Sequence, residues 1–200
     1  MTIAEKKIII TVFHSFITKN ILNTEVLAIL QKQSNWQMIL AVPADKEDFF
    51  KQIYHDPRVT VAGVDVDALG QEWRVKFFSR LFFWLQDSHY LAYKKRERLD
   101  KNRTLLGYLK YGWEVFFTKS LGLATWLYPV WRQLFISLVS PVIIRDLWEK
   151  YQPDAVLATD IFGEVDVLLA AEARRRKLTL IGMVRSWDNC YSKGILRVLP

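Results

Sequence analysis

Five short apolar runs constrain this chain more than anything else in it: KIIITVF (7–13), WQMILAV (36–42), VTVAGV (59–64), AVLAT (155–159) and LTLIGMV (178–184). Each is continuous rather than alternating, the pattern of strands covered on both faces, as in a parallel sheet. Helix-like segments lie between them. TEVLAILQKQ follows Asn23, a residue suited to an N-cap, and ADKEDFFKQIYH opens on acidic residues that favour a helix amino end. EVDVLLAAEARRRK carries Val165, Leu168, Leu169 and Ala173 at helical spacing and ends in positive charge, which complements the helix dipole. Strand and helix alternate, so the predicted fold class is α/β: a Rossmann-like, doubly wound parallel sheet. A further run, GILRVL (194–199), is a candidate sixth strand.

The alternation breaks between Gly70 and Tyr151. No strand run occurs there, only helical patterns rich in Trp, Phe and Tyr, which predicts a large aromatic-rich helical insertion between strands 3 and 4, with Pro129 and Pro141 dividing its last part. Residues 120–144 are apolar enough to raise the question of a membrane span. Arg132 sits at their centre, where insertion costs about 2.5–3.5 kcal/mol, and the two prolines interrupt the helix, so a span is not predicted.

Charge is concentrated in the same region. Residues 70–119 hold eleven basic side chains against five acidic, a difference of six out of a net charge of +7. Arg74, Lys76 and Arg80 stand among Trp73, Phe77, Phe78, Phe82 and Phe83, and Lys94, Lys95 and Arg96 follow. Basic and aromatic residues together suit the headgroup zone of an anionic membrane, and these six are the candidate membrane contacts. The aromatics equally suit a core with the charges as its solvated face. No recognised nucleic-acid-binding motif accompanies the patch, so nucleic acid is not an expected partner.

Two hundred residues suit a single domain, and one cysteine, Cys190, excludes a disulfide framework. A reducing, cytoplasmic location follows, peripheral to the inner face of the plasma membrane if the basic patch is a contact. Lys6 and Lys7 precede the apolar run Ile8 to Ile17 as in a secretion signal, but His14 interrupts the run and no small-residue cleavage site follows it.

In an open α/β sheet ligands bind beyond the carboxyl ends of the strands. The first run ends in FHSFITKN, where His14 is suited to taking a proton from a hydroxyl and Ser15, Thr18, Lys19 and Asn20 to holding a phosphate or sugar hydroxyls. Neither a GxGxxG nor a Walker A pattern is present. The fourth run ends in ATDIFGEVD, where Thr159 or Asp160 would cap the next helix or meet a ligand at its amino end. The fifth ends in RSWDNCYSKG: Trp187 offers a flat face for a sugar or base, Asp188 a carboxylate, and Asn189, Ser192 and Lys193 polar contacts.

The polar His14 loop, the helical excursion and the segment DIFGEVDVLLAAEARRRKLTLIGMVRSWDNCYSKG together resemble the amino-terminal domain of GT-B-type glycosyltransferases, close to bacterial envelope-polysaccharide proteins and CDP-glycerol glycerophosphotransferases. GMVRSWDN…SKG is its most specific part. The resemblance implies an acceptor-side domain over residues 1–200 and a separate carboxy-terminal domain, outside this chain, holding the donor. It implies a nucleotide sugar as co-substrate, a glycan or lipid-linked acceptor, and neither metal nor other cofactor. The base of such enzymes lies at the end of the first strand, here His14, with Asp160 or Asp188 as its partner. Alternatives are polyol-phosphate transfer from a CDP-linked donor, and a non-catalytic module binding a membrane surface or a partner.

Overall fold

A computed structural model describes residues 6–33, 35–86, 88–122, 125–189 and 195–200. Ser192 and Lys193 lie outside them. The five runs form strands β1 (Lys6–Thr11), β2 (Trp36–Pro43), β3 (Val59–Val64), β4 (Ala155–Ala158) and β5 (Thr179–Gly182), all parallel in the order β3-β2-β1-β4-β5. That order is compatible with a Rossmann-like fold. β1 is central, with Ile9 opposite Ile39 of β2 and Val156 of β4. The order reverses between β1 and β4, which opens a crevice above their carboxyl ends.

Alternation along the strands sends side chains into two separate cores, which explains why the runs are apolar throughout. Ile10, Val12, Met38, Leu40 and Val42 meet Ile17, Ile21 and Leu22 of the turn after β1, and Leu27 and Phe50 of α2 (Glu25–Gln33) and α3 (Glu47–Ile53). That turn is α1 (Ser15–Ile17), running into a π-helical turn at Thr18–Leu22. Ile9, Ile39, Ala41, Ala62, Val64, Val156 and Ala158 face the other way.

Among the described residues, six α-helices lie between β3 and β4: α4 (Val66–Gln71), α5 (Trp73–Leu85), α6 (His89–Lys101), α7 (Leu105–Gly122), α8 (Tyr128–Leu138) and α9 (Val142–Tyr151). α4, α5, α8 and α9 cover the second face together with α10 (Glu164–Arg175), while α7 packs on α5 and α6 on α7. Val75, Phe78, Leu81, Phe82 and Leu85 form the buried stripe of α5, and Phe135 of α8 meets Phe78 and Phe82 edge-on at 5.5 and 5.9 Å. Part of the aromatic richness is therefore core. The prolines divide the apolar stretch as expected: Pro129 stands in the first turn of α8 and Pro141 caps α9. Arg132 does not face lipid; its Nε donates to the Leu196 carbonyl at 2.7 Å. No helix among the described residues is long and apolar enough to cross a membrane.

Four expectations change. Residues 195–200 contain no strand and pack against the helices, with Val198 fully buried. β5 is not covered on both faces: it is the edge of the sheet, and Ile181 is half exposed. α2 begins one residue later than Asn23 implied; Thr24 Oγ1 accepts the Val26 N–H at 3.4 Å, while Asn23 Oδ1 accepts the Tyr54 hydroxyl. Lys95 is not a surface cation. It is 3% exposed and donates to the Thr118 hydroxyl between α6 and α7.

Candidate functional site

Thr11 is the one polar residue in the apolar core of β1, and it organises the crevice. Its hydroxyl accepts the Thr159 N–H at 2.8 Å and donates to Asp166 Oδ1 in the first turn of α10. The Thr159 hydroxyl donates to the Thr11 carbonyl at 2.7 Å, and Asp166 Oδ1 also accepts the Asp160 N–H at 3.1 Å. The ends of β1 and β4 and the start of α10 are thereby locked in register. Neither Thr159 nor Asp160 caps α10; its N-cap is Gly163, and a Cβ there would come within 2.6 Å of Asp166 Oδ2. Burial pushes the Asp166 carboxyl up from its ordinary range and the Asp160 carboxylate adds to this, against the opposing pull of the Thr11 and Asp160 hydrogen bonds.

Asp160 is fully buried and stands between Arg185 and His14. Its Oδ1 accepts the Phe162 N–H at 3.2 Å; its Oδ2 lies 2.7 Å from Arg185 Nη2, just past β5, and 3.6 Å from His14 Nε2, just past β1. The His14 distance exceeds a hydrogen bond but keeps the ring and the carboxylate in direct contact. Arg185 Nε is buried without a hydrogen-bond partner among the described residues. Arg185 escaped notice in the sequence because it follows the fifth apolar run like any solvated basic residue; only the strand order shows that it turns back onto Asp160.

His14, with 43% of its side chain exposed, stands on the wall between two clefts. One, of about 530 Å³, runs along the turn after β1 and α3, lined by His14, Ser15, Thr18, Lys19 and Lys46 with Phe49 and Phe50. Among the described residues no carboxylate lines it. The other, of about 580 Å³, lies over the ends of β1, β2 and β3, and there His14 and Lys46 meet Asp45, Asp65, Asp67, Glu164 and Asp166. The first favours anionic groups and the second groups rich in hydrogen-bond donors, such as hydroxyls.

The remaining candidates divide. Asn20, Asp188 and Asn189 line a third cleft of about 550 Å³ with Arg185, on the β5 side of α1. Asp188 is exposed there and Asn189 is buried, its N–H donating to the Ser186 carbonyl at 3.1 Å. The carboxylate beside His14 is therefore Asp160, not Asp188. Trp187 is 81% exposed. Arg74, Lys76, Arg80 and Arg96 are at the surface of α5 and α6 and Lys94 is half-buried, with Lys76 bonded to Gln71 and Lys94 to Glu97 at 2.8 and 3.0 Å. No family model matches the chain, and comparison with curated proteins and with solved structures gives no match.

Proposed function

We propose that the chain is the acceptor-side domain of a GT-B-like glycosyltransferase, its six inter-strand helices an insertion in a Rossmann-like fold, and that it moves a sugar from a nucleotide donor to a cell-envelope glycan or glycolipid. The observation that carries this reading is His14 on the wall shared by an acid-lined cleft and a basic one. A polyol acceptor fits the first, where five carboxylates can accept from its hydroxyls; the donor phosphates fit beside Lys19 and Lys46 in the second. His14 takes the proton of the acceptor hydroxyl as its oxygen bonds to the anomeric carbon. The bond from that carbon to the phosphate oxygen breaks, and a nucleoside diphosphate leaves. The Asp160 carboxylate faces the imidazolium so formed, and Arg185 holds that carboxylate in place at 2.7 Å. Ser15, Asn20, Trp187 and Asn189 are candidate contacts, with Asp188 on the β5 side; Thr159 is buried beneath them, and the candidates Ser192 and Lys193 lie outside the described residues. A separate carboxy-terminal domain would hold most of the donor.

Lys19 and Lys46 also favour the second reading, polyol-phosphate transfer, because they suit the phosphate of a CDP-linked donor as well as that of a nucleotide sugar.

The test is nucleotide release by the full-length protein from UDP-, GDP- and CDP-linked sugars and from CDP-glycerol, with a lipid-linked saccharide as acceptor. Acceptor-dependent release of a nucleoside diphosphate is expected, falling by about 10²-fold or more in His14→Ala at an unchanged unfolding temperature. Release of CMP from CDP-glycerol alone would assign the second reading. Full activity in His14→Ala removes the base, and no release from any donor overturns both.

A further inference from the structure

α7 is turned inside out, its polar side inward and its apolar side exposed. Gly107, Tyr111, Glu114 and Thr118 recur at helical spacing on its inner side, where Glu114 and Thr118 are buried. Their partners are on α6: Arg98 Nη2 lies 3.1 Å from Glu114 Oε2, and Lys95 Nζ donates to the Thr118 hydroxyl. The opposite side carries Leu105, Leu106, Leu109, Trp113 and Phe116, which are 59 to 77% exposed. A helix packed on a core in water does the reverse, burying its apolar stripe and exposing its charges.

The charges on α7 complete the pattern. At 3.6 residues per turn, Lys110 and Lys119 fall on the two flanks of the apolar stripe, and both are exposed. Glu114, the only acidic residue of the helix, is turned inward. The face presented to the surroundings is thus leucine and aromatic at its centre and positive at its edges.

We propose that this face of α7 docks on an anionic lipid bilayer, the helix lying flat in the headgroup zone with Leu105, Leu109, Trp113 and Phe116 inserted. Trp and Phe with flanking Lys are the side chains that zone accommodates, and lipid phosphates meet the lysines with opposite charge. A second copy of the chain would bring the basic segment 70–119 against itself, which like-charge repulsion opposes. Three charged residues in eighteen keep α7 from crossing the bilayer. The contact differs from the one the sequence pointed to, on α5 and α6. It rests on α7 alone and stands apart from the glycosyltransferase reading.

The experiment is flotation of the full-length protein with vesicles of phosphatidylcholine and phosphatidylglycerol, against vesicles of phosphatidylcholine only. Wild type floats with the anionic vesicles and less with the neutral ones. Leu109→Glu with Trp113→Glu lowers partitioning by about tenfold or more, and Lys110→Glu with Lys119→Glu by roughly tenfold on anionic vesicles only. Circular dichroism and the unfolding temperature report that both variants remain folded, and Trp113→Ser serves as a milder change if either does not. Charge reversal at Arg74 and Arg96 leaves partitioning nearly unchanged. Failure of wild type to float, or undiminished flotation of both α7 variants, overturns the proposal. So does concentration-dependent self-association that Trp113→Glu abolishes, which would give the face to a second copy.

Discussion

Asp166 shows how a single buried carboxylate can hold the crevice together while opposing folding through its charge. Its Oδ1 receives the Thr11 hydroxyl and the Asp160 N–H, and an asparagine oxygen can accept both. Asp166→Asn should therefore unfold within about 1 kcal/mol of wild type at neutral pH, whereas Asp166→Ala leaves two donors unpaired and should lose about 2–3 kcal/mol. Because the folded carboxyl is raised above 3.8, the native state binds its proton more tightly than the unfolded chain. The cost of its charge is fully present above the raised value and disappears as pH falls through it towards 3.8. Denaturant titrations of wild type and Asp166→Asn across that window should show wild type gaining relative to the variant on acidification. An unchanging difference would mean that Asp166 is not buried as a charge.

Among the elements, α10 is the most deeply buried helix. Nearly all of it is buried, Glu172 included, and that side chain accepts from Arg175, from Arg176 Nε at 2.7 Å and from Ser140 Oγ at 3.1 Å. Arg175 continues to the Val139 carbonyl at 2.7 Å, so the cluster fastens α10 to the end of α8 and the start of α9. Glu172→Ala strands two arginines and should cost about 3 kcal/mol, read from urea unfolding, with Glu172→Gln intermediate. The sequence already showed α10 and its capping charges, and all five strands within three residues, because doubly covered strands leave a continuous apolar signal. The polarity of α7 was not legible. Its aromatics and lysines suggest surface and core equally until the inward direction of Glu114 and Thr118 is known, and that direction depends on where α6 packs.

At the scale of the whole molecule, strand order decided what the sequence left open at the site. Asp160 and Asp188 both follow apolar runs, and nothing in their neighbours separates them as partners for His14. β4 lies beside β1 and β5 one strand further out, so only the residue after β4 reaches the histidine. The position of His14, directly after β1, was legible because the first apolar run ends just before it. Long-range order also returns residues 195–200 to the helices: Arg197 meets Glu164 with two bonds of 3.0 Å, one from each terminal nitrogen, and Ser79 Oγ at 2.9 Å. Burial alone would raise the Glu164 carboxyl, but Arg197 and Ser79 outweigh it and hold it below 4.5. A lowered folded value means stability present above 4.5 and lost as pH falls through the folded value. Arg197→Ala should lower the unfolding temperature by a few degrees at pH 7, about 1 kcal/mol or less because Glu164 is half exposed, with the gap closing below pH 4.5.

The seam between α6 and α7 has a different dependence. Phe117 of α7 stacks on Trp84 of α5 rather than on α6; among the described residues of α6 and α7 Leu91 is the only buried apolar side chain, and Lys95 with Thr118 and Arg98 with Glu114 join the two helices. Apolar packing keeps its strength wherever water is excluded, whereas bonds between charged and polar groups strengthen as the local dielectric falls. The stiffness of this hairpin is thus set by how well water is kept from those few buried bonds, and it falls wherever the seam opens to solvent.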